Sequence, residues 1–254
     1  GSIAVGMALH GGIIPYTATF LPFADYMRPP MRLASLMGLR TIFVFTHDSI
    51  GVGEDGPTHQ PIEQIMNLRQ VPNMTVIRPA DANETVEAWR LALTKTKGPT
   101  TLVFSRQNLP VLDRSVCSAA SGTRRGGYIL WESSPKPELI LIATGSEVSI
   151  ALAAARKLAA DNISVRVVSL PSWEIFDHQP QDYRHSVLPP AIPARISIEA
   201  GIKLGWEHYV GLQGKIIGMD TFGASAPGPV LYEKFGFTEL KIVEAAKSLL
   251  GRNQ

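Results

Sequence analysis

A chain of 254 residues, 45% apolar and 18% charged, has room for one large domain or two ordinary ones and enough apolar mass to fill their cores. The formal net charge is only +2, with both signs mixed along the chain, so nothing marks a nucleic-acid or membrane-surface binder. A lone Cys117 excludes an internal disulfide and fits a reducing compartment. No apolar run approaches the roughly 20 residues a membrane span needs, and no basic-then-apolar leader opens the sequence, so the cytoplasm is the expected location.

Gly1 and Ser2 run straight into residues 3–10, which read as a helix already under way; a piece of a longer protein is expected. Apolar runs bounded by turn residues then alternate with helical patterns. Strands are expected at 13–18, 41–46, 73–78 and 99–105, and helices at 20–37, 61–70 and 81–96. Pro29 and Pro30 both lack an amide donor and are expected to kink or split the first of those helices. In the last, Asp81 and Glu84 have capping-box spacing, and Val86, Trp89 and Leu93 share one face.

Residues 113–127 turn small and polar and read as a linker. The alternation then restarts with a strand at 139–143. Gly145 and Ser146 turn into a helix with Val148, Leu152, Ala155 and Leu158 inward. Strands at 165–168, 195–198 and 215–217 and a closing helix at 238–250 follow. This pattern implies two α/β domains with mostly parallel sheets: residues 1–112, the linker 113–127, and residues 128–254.

The segment 46–61 (THDSIGVGEDGPTHQP) is the densest in chemistry, packing two histidines, three carboxylates and three glycines behind a buried strand. His47, Asp48, Glu54, Asp55 and His59 are all competent metal ligands, but the histidines lack the helical i, i+4 spacing that aims two ligands at one ion. Ile50 and Val52 stand where a calcium loop requires oxygen ligands. A plain turn-forming loop is one alternative. A site that hydrogen-bonds a polyhydroxylated substrate is another.

Arg106, at the end of another buried strand, belongs to the same sheet edge as His47, and its planar fork suits a phosphate; pairing with a nearby acid is the plainer reading. Phe20, Phe23 and Tyr26 fall at three-residue spacing, which taken alone favours a core face. The segment 144–147 (TGSE) looks like a phosphate-cradling helix start, though an ordinary cap explains it more simply. Residues 221–227 read as a loop without assignable chemistry.

The segment 46–61 resembles the signature loop of transketolases, thiamine diphosphate enzymes that move two-carbon ketol units between sugar phosphates. Segments 10–12 (HGG), 19–23 (TFLPF), 105–108 (SRQN) and 221–223 (TFG) resemble that family too. The likeness covers the whole chain and corresponds to a pyrimidine-binding domain lacking its start, followed by the family's C-terminal domain.

It implies that Phe20, Phe23 and Tyr26 surround the cofactor's aminopyrimidine, with Phe20 stacking on it. His47 and Arg106 would hold the sugar's phosphate, Asp55 would read the C2 hydroxyl of an aldose acceptor, and His59 would contact the ketol hydroxyls near the reacting carbon. No metal ligand is implied on this chain. Mg²⁺ or Ca²⁺ and the cofactor's diphosphate belong to a domain with no counterpart here. The partner is then a second subunit or a complementary N-terminal half.

In the family, a glutamate shortly before the segment matching residues 3–12 hydrogen-bonds the pyrimidine ring and activates the cofactor. This chain has no glutamate before Glu54, so by itself it is expected to be inactive. The rivals are a non-catalytic dimerisation or assembly module, a β-type subunit of another thiamine diphosphate enzyme, and a metal hydrolase built on His47, Asp55 and His59.

Overall fold

The computed structural model describes residues 1–252. In the first half, α1 (Ser2–His10), β1 (Tyr16–Phe20), α2 (Ala24–Leu36), β2 (Ile42–Thr46), α3 (Gln64–Arg69), β3 (Thr75–Ile77), α4 (Ala82–Thr94) and β4 (Thr100–Val103) follow in order. The strands form one parallel sheet, β1-β2-β4-β3. Phe20 lies beside Thr46, and Phe45 beside Val103, so the carboxyl ends of β1, β2 and β4 share an edge.

β2 explains why its sequence is an unbroken apolar run. Phe43 and Phe45 pack with Leu21, Met31 and Leu68 on one side, while Ile42 and Val44 meet Ala88, Ala92 and Leu102 on the other. Each fully buried side chain of this size contributes about 1.5–3 kcal/mol.

Three local expectations change. α2 runs unbroken through Pro29 and Pro30. The carbonyls that lose their donors, four residues back, belong to the exposed residues Asp25 and Tyr26, where water can replace the missing bond. In α4, Val86 and Leu93 point outward at 59% and 49% exposure, and the buried face is Glu84, Ala88 and Ala92. Small alanines let the helix approach the sheet closely. Asp81 caps the Glu84 amide at 2.8 Å as expected, but the Glu84 carboxylate reaches back one residue further, to the Ala80 amide.

The segment 113–127 is bound to α4 along its length. A short 3-10 turn, Ala120–Arg125, interrupts it, Arg114 pairs with Asp81 at 2.8 Å and Arg124 with Glu87 at 2.5 Å. After it come β5 (Tyr128–Glu132), β6 (Leu139–Ala143), α5 (Glu147–Ala160), β7 (Val165–Ser169), α6 (Trp173–Asp177), α7 (Gln181–Val187), β8 (Arg195–Ile202), α8 (Glu207–Val210), β9 (Lys215–Met219), α9 (Gly228–Lys234) and α10 (Glu239–Leu249). The second sheet has the order β5-β7-β6-β8-β9, parallel except for the antiparallel edge strand β5. No helix among the described residues is long and apolar enough to cross a membrane.

Buried polar groups lock the two halves together. Arg69 forks onto Glu199 at 2.7 and 2.8 Å and lies 4.0 Å over the Trp173 ring. Burial pushes the Glu199 carboxyl up, but Arg69, Arg78 and the Thr144 hydroxyl together outweigh it and hold the group down at about 2. Tyr128 and Ser169 both donate to Glu84 at 2.7 Å. Such pairs tie the two halves together, with the cost of desolvating the charges offsetting part of the attraction.

Candidate active site

The shared strand edge carries the chemistry. β2 ends at Thr46, and His47 leaves it with φ 65, a left-handed conformation that side-chain-bearing residues rarely adopt. Its Nδ1 meets the Thr46 hydroxyl at 2.8 Å, leaving Nε2 as the free ring nitrogen. The ring stacks on Phe20 with centroids 3.5 Å apart. Burial lowers the His47 pKa below its ordinary value, the Arg106 charge lowers it further, and Asp55 and Asp48 act the other way. His47, Asp55, His59 and Arg106 thus stand near enough for the charges of the other three to act on one imidazole.

The signature loop folds as two 3-10 turns, Ile50–Val52 and Pro57–His59. His59 places its Nδ1 3.0 Å from the Thr58 hydroxyl and its ring edge-on to Phe23 at 5.9 Å. Asp55 is exposed at the loop's tip. Asp48 turns the other way and is buried against Arg78. Among the described residues no group of three His, Cys, Asp or Glu side chains is arranged to hold a metal ion.

The aromatic triad is not a core face. Phe23 and Tyr26 are exposed at 37% and 83%, and Phe20 and Phe23 lie 6.3 Å apart with planes only 6° from parallel. Phe23 and Tyr26 line a cleft of 430 Å³ with Gln60, Gln64 and Phe222. Arg106 is exposed, and no carboxylate among the described residues pairs with it. It opens on a second cleft, of 460 Å³, beside Gln107, Ser146 and Tyr232.

Several supporting residues lay outside the sequence reading. The loop 221–227, which carried no chemistry, braces the signature loop: Gln60 donates to Gly53 O at 2.7 Å and Ala224 O at 2.9 Å, and Ser225 donates to Glu54 O at 2.6 Å. Gly53 has φ 87, and a Cβ there would lie 3.3 Å from the Gly228 amide nitrogen. These contacts are mostly to main chain across more than 160 residues of sequence, so no residue pattern signals them. Thr46 and Thr58, each directly before a histidine, are the one orienting signal the sequence did hold. Ser146 makes no side-chain cap on α5, contrary to the simple helix-cap reading; its hydroxyl turns to Glu147 and Tyr232 instead.

Fold and site together define a two-domain α/β protein whose polar groups gather beyond the carboxyl ends of parallel strands, where such sheets bind ligands. Residues 1–111 match the transketolase pyrimidine-binding domain, and residues 126–238 the transketolase-like C-terminal domain. The chain is 53% identical over 249 residues to a transketolase of Staphylococcus aureus, covering 98% of this chain and 38% of that protein. The structure of a transketolase from Leishmania mexicana superposes with a TM-score of 0.93 at 46% identity, over 99% of this chain and 36% of that one. A Pichia stipitis transketolase solved in complex with sedoheptulose 7-phosphate gives 0.86 at 42% identity, over 93% and 34%. The chain belongs to the transketolase family. It spans about 38% of the length of the curated relatives it matches.

Proposed function

We propose that this chain supplies the pyrimidine-side and sugar-phosphate half of a transketolase active site. The reaction is reversible transfer of a two-carbon ketol group from a ketose phosphate to an aldose phosphate. In this reading residues 1–112 are the pyrimidine-binding unit, 113–127 the connection and 128–254 the C-terminal domain. The single observation that carries it is the His47 imidazole, stacked on Phe20 next to the open Phe23 and Tyr26 shelf and close enough to Arg106, Asp55 and His59 for their charges to act on it.

Each role follows from the chemistry of the group. Arg106 offers a planar fork and His47 a free Nε2, a pair suited to a phosphate dianion. Asp55, exposed and able to accept, suits a sugar hydroxyl, and the free nitrogen of His59 suits the ketol oxygens near the reacting carbon.

Thiamine diphosphate fits the shelf: Phe20 and Phe23 present near-parallel rings, and the exposed faces of Phe23 and Tyr26 are apolar area that a flat heterocycle would cover. When bound, it supplies the carbanion-stabilising chemistry that no side chain here provides. Among the described residues no cluster of His, Cys, Asp or Glu fits its Mg²⁺ or Ca²⁺, and no step is assigned to a metal on this chain. In this reading a diphosphate-binding domain, from a second subunit of a homodimer or from a complementary N-terminal half, completes the site, and turnover needs both parts.

Mixing the chain with an N-terminal transketolase half that restores the pyrimidine-facing glutamate, and assaying ketol transfer from a ketose phosphate, tests this. Turnover by the mixture alone is expected. No turnover, with the two halves associated, would leave the chain an assembly module.

A further inference from the structure

Building on the sugar-phosphate reading of His47, we propose that Glu147 of the C-terminal domain is a positioning residue for that imidazole, acting through Arg78 and Tyr232 on the two residues that follow it. His47 adopts a left-handed backbone, so its turn has to be held by its surroundings. The next two residues are both anchored. Asp48, 1% exposed, accepts from Arg78 Nε at 2.9 Å and forms an ion pair with Nη2 at 2.8 Å. Ser49 is fully buried, and its hydroxyl meets Tyr232 Oη at 3.2 Å.

Both anchors end on one carboxylate. Glu147 Oε2 accepts from Arg78 Nη1 and from the Ala200 amide at 3.1 Å; Oε1 accepts from the Tyr232 hydroxyl at 2.7 Å and the Ser146 hydroxyl at 2.8 Å. A fully buried carboxylate with four donors is a fixed point. Arg78 is equally enclosed: burial works against its charge, but Glu147, Asp48 and Glu199 outweigh burial and hold the guanidinium firmly protonated. Gly145, at φ 53, is what lets the start of α5 close over it, since a Cβ there would sit 2.5 Å from the guanidinium carbon. The C-terminal domain thus aims Arg78 at Asp48 and Tyr232 at Ser49, and the two together set the direction in which His47 leaves β2.

This is more than adhesion between domains, and the molecule contains its own control. Tyr128 and Tyr232 each send one hydroxyl to a buried glutamate that takes part in the domain contact, Glu84 and Glu147 respectively. Only Tyr232 also reaches the His47 turn.

The test compares Tyr232→Phe with Tyr128→Phe, and adds Glu147→Gln where it folds. The first readout is the His47 ring resonances by NMR, which the Phe20 face displaces and which the other five histidines calibrate. The second is the ratio of KM for a phosphorylated ketose to KM for an unphosphorylated one, in the enzyme completed by the N-terminal half. Tyr232→Phe should move the His47 resonances toward their unshifted position and raise that ratio about tenfold. Tyr128→Phe should do neither, although both lower thermal stability.

An unmoved His47 in Tyr232→Phe, or equal movement in both tyrosine variants, overturns the proposal. If His47→Ala leaves the KM ratio at its wild-type value, the phosphate reading falls, and the NMR comparison still decides the positioning role by itself.

Discussion

The imidazole of His47 lies against the ring of Phe20, with centroids 3.5 Å apart and planes inclined by 23°. The register causes it: Phe20 ends β1 directly beside Thr46, so the residue after Thr46 is delivered onto that ring. One contact therefore joins the aromatic shelf to the imidazole proposed to hold the sugar's phosphate.

Arg106 is the group whose removal should discriminate best between substrates. Arg106→Ala should raise KM for phosphorylated sugars far more than for unphosphorylated ones, by about 1.5–3 kcal/mol for a lost charge-assisted bond. Steady-state kinetics on both substrate types checks it. An equal effect on both would remove the phosphate role.

Protonation of His47 should accompany phosphate binding. Burial and Arg106 keep the free ring below its ordinary value, so near neutral pH it is mostly uncharged. A bound dianion favours the charged form and raises that pKa, so at a pH between the free and bound values binding takes up a proton. Calorimetry of sugar-phosphate binding in buffers of different ionisation enthalpy should show proton uptake in the wild type and its loss in His47→Gln. Equal uptake in both would assign the proton elsewhere.

Asp55 stands exposed at the loop tip, free to accept from a hydroxyl. Asp55→Ala should loosen discrimination between acceptor aldoses that differ in C2 configuration, read as a ratio of kcat/KM values. Unchanged selectivity would take that role away from Asp55.

The Glu199–Arg69 pair should leave an acid signature. The folded carboxyl is depressed to about 2 from 4.5, so its contribution is fully present above about pH 4.5 and is lost as pH falls through the folded value. That contribution is on the order of 3 kcal/mol. The urea-midpoint gap between the wild type and Glu199→Gln should narrow from about pH 6 to about pH 3. A constant gap would show that Glu199 does not titrate this low.

Where periodicity was strong, the sequence alone was enough. β6 lies where its apolar run put it, and α5 buries Val148, Leu152, Ala155 and Leu158 as spaced. β5 went unread because an antiparallel edge strand of mixed exposure has no strong pattern. The inward face of α4 was misread because alanines, less conspicuous than Val86 or Leu93, make the close contact.

Residues that act locally at a strand end, His47 and Arg106, stood out in the sequence. The aromatic shelf did not, since three-residue spacing describes a core face and an open shelf equally well; only the family resemblance pointed to it. Glu147 looked like part of a helix start because its partners, Arg78, Ala200 and Tyr232, are distant in sequence. Contacts made through folding back of the chain have no period to betray them.

The most direct measurement is a crystal structure of the chain completed by its N-terminal half and soaked with a ketose phosphate. The phosphate should lie between the Arg106 fork and His47 Nε2, with the ketol end toward His59. Phosphate density that touches neither the Arg106 fork nor His47 Nε2 would contradict the account.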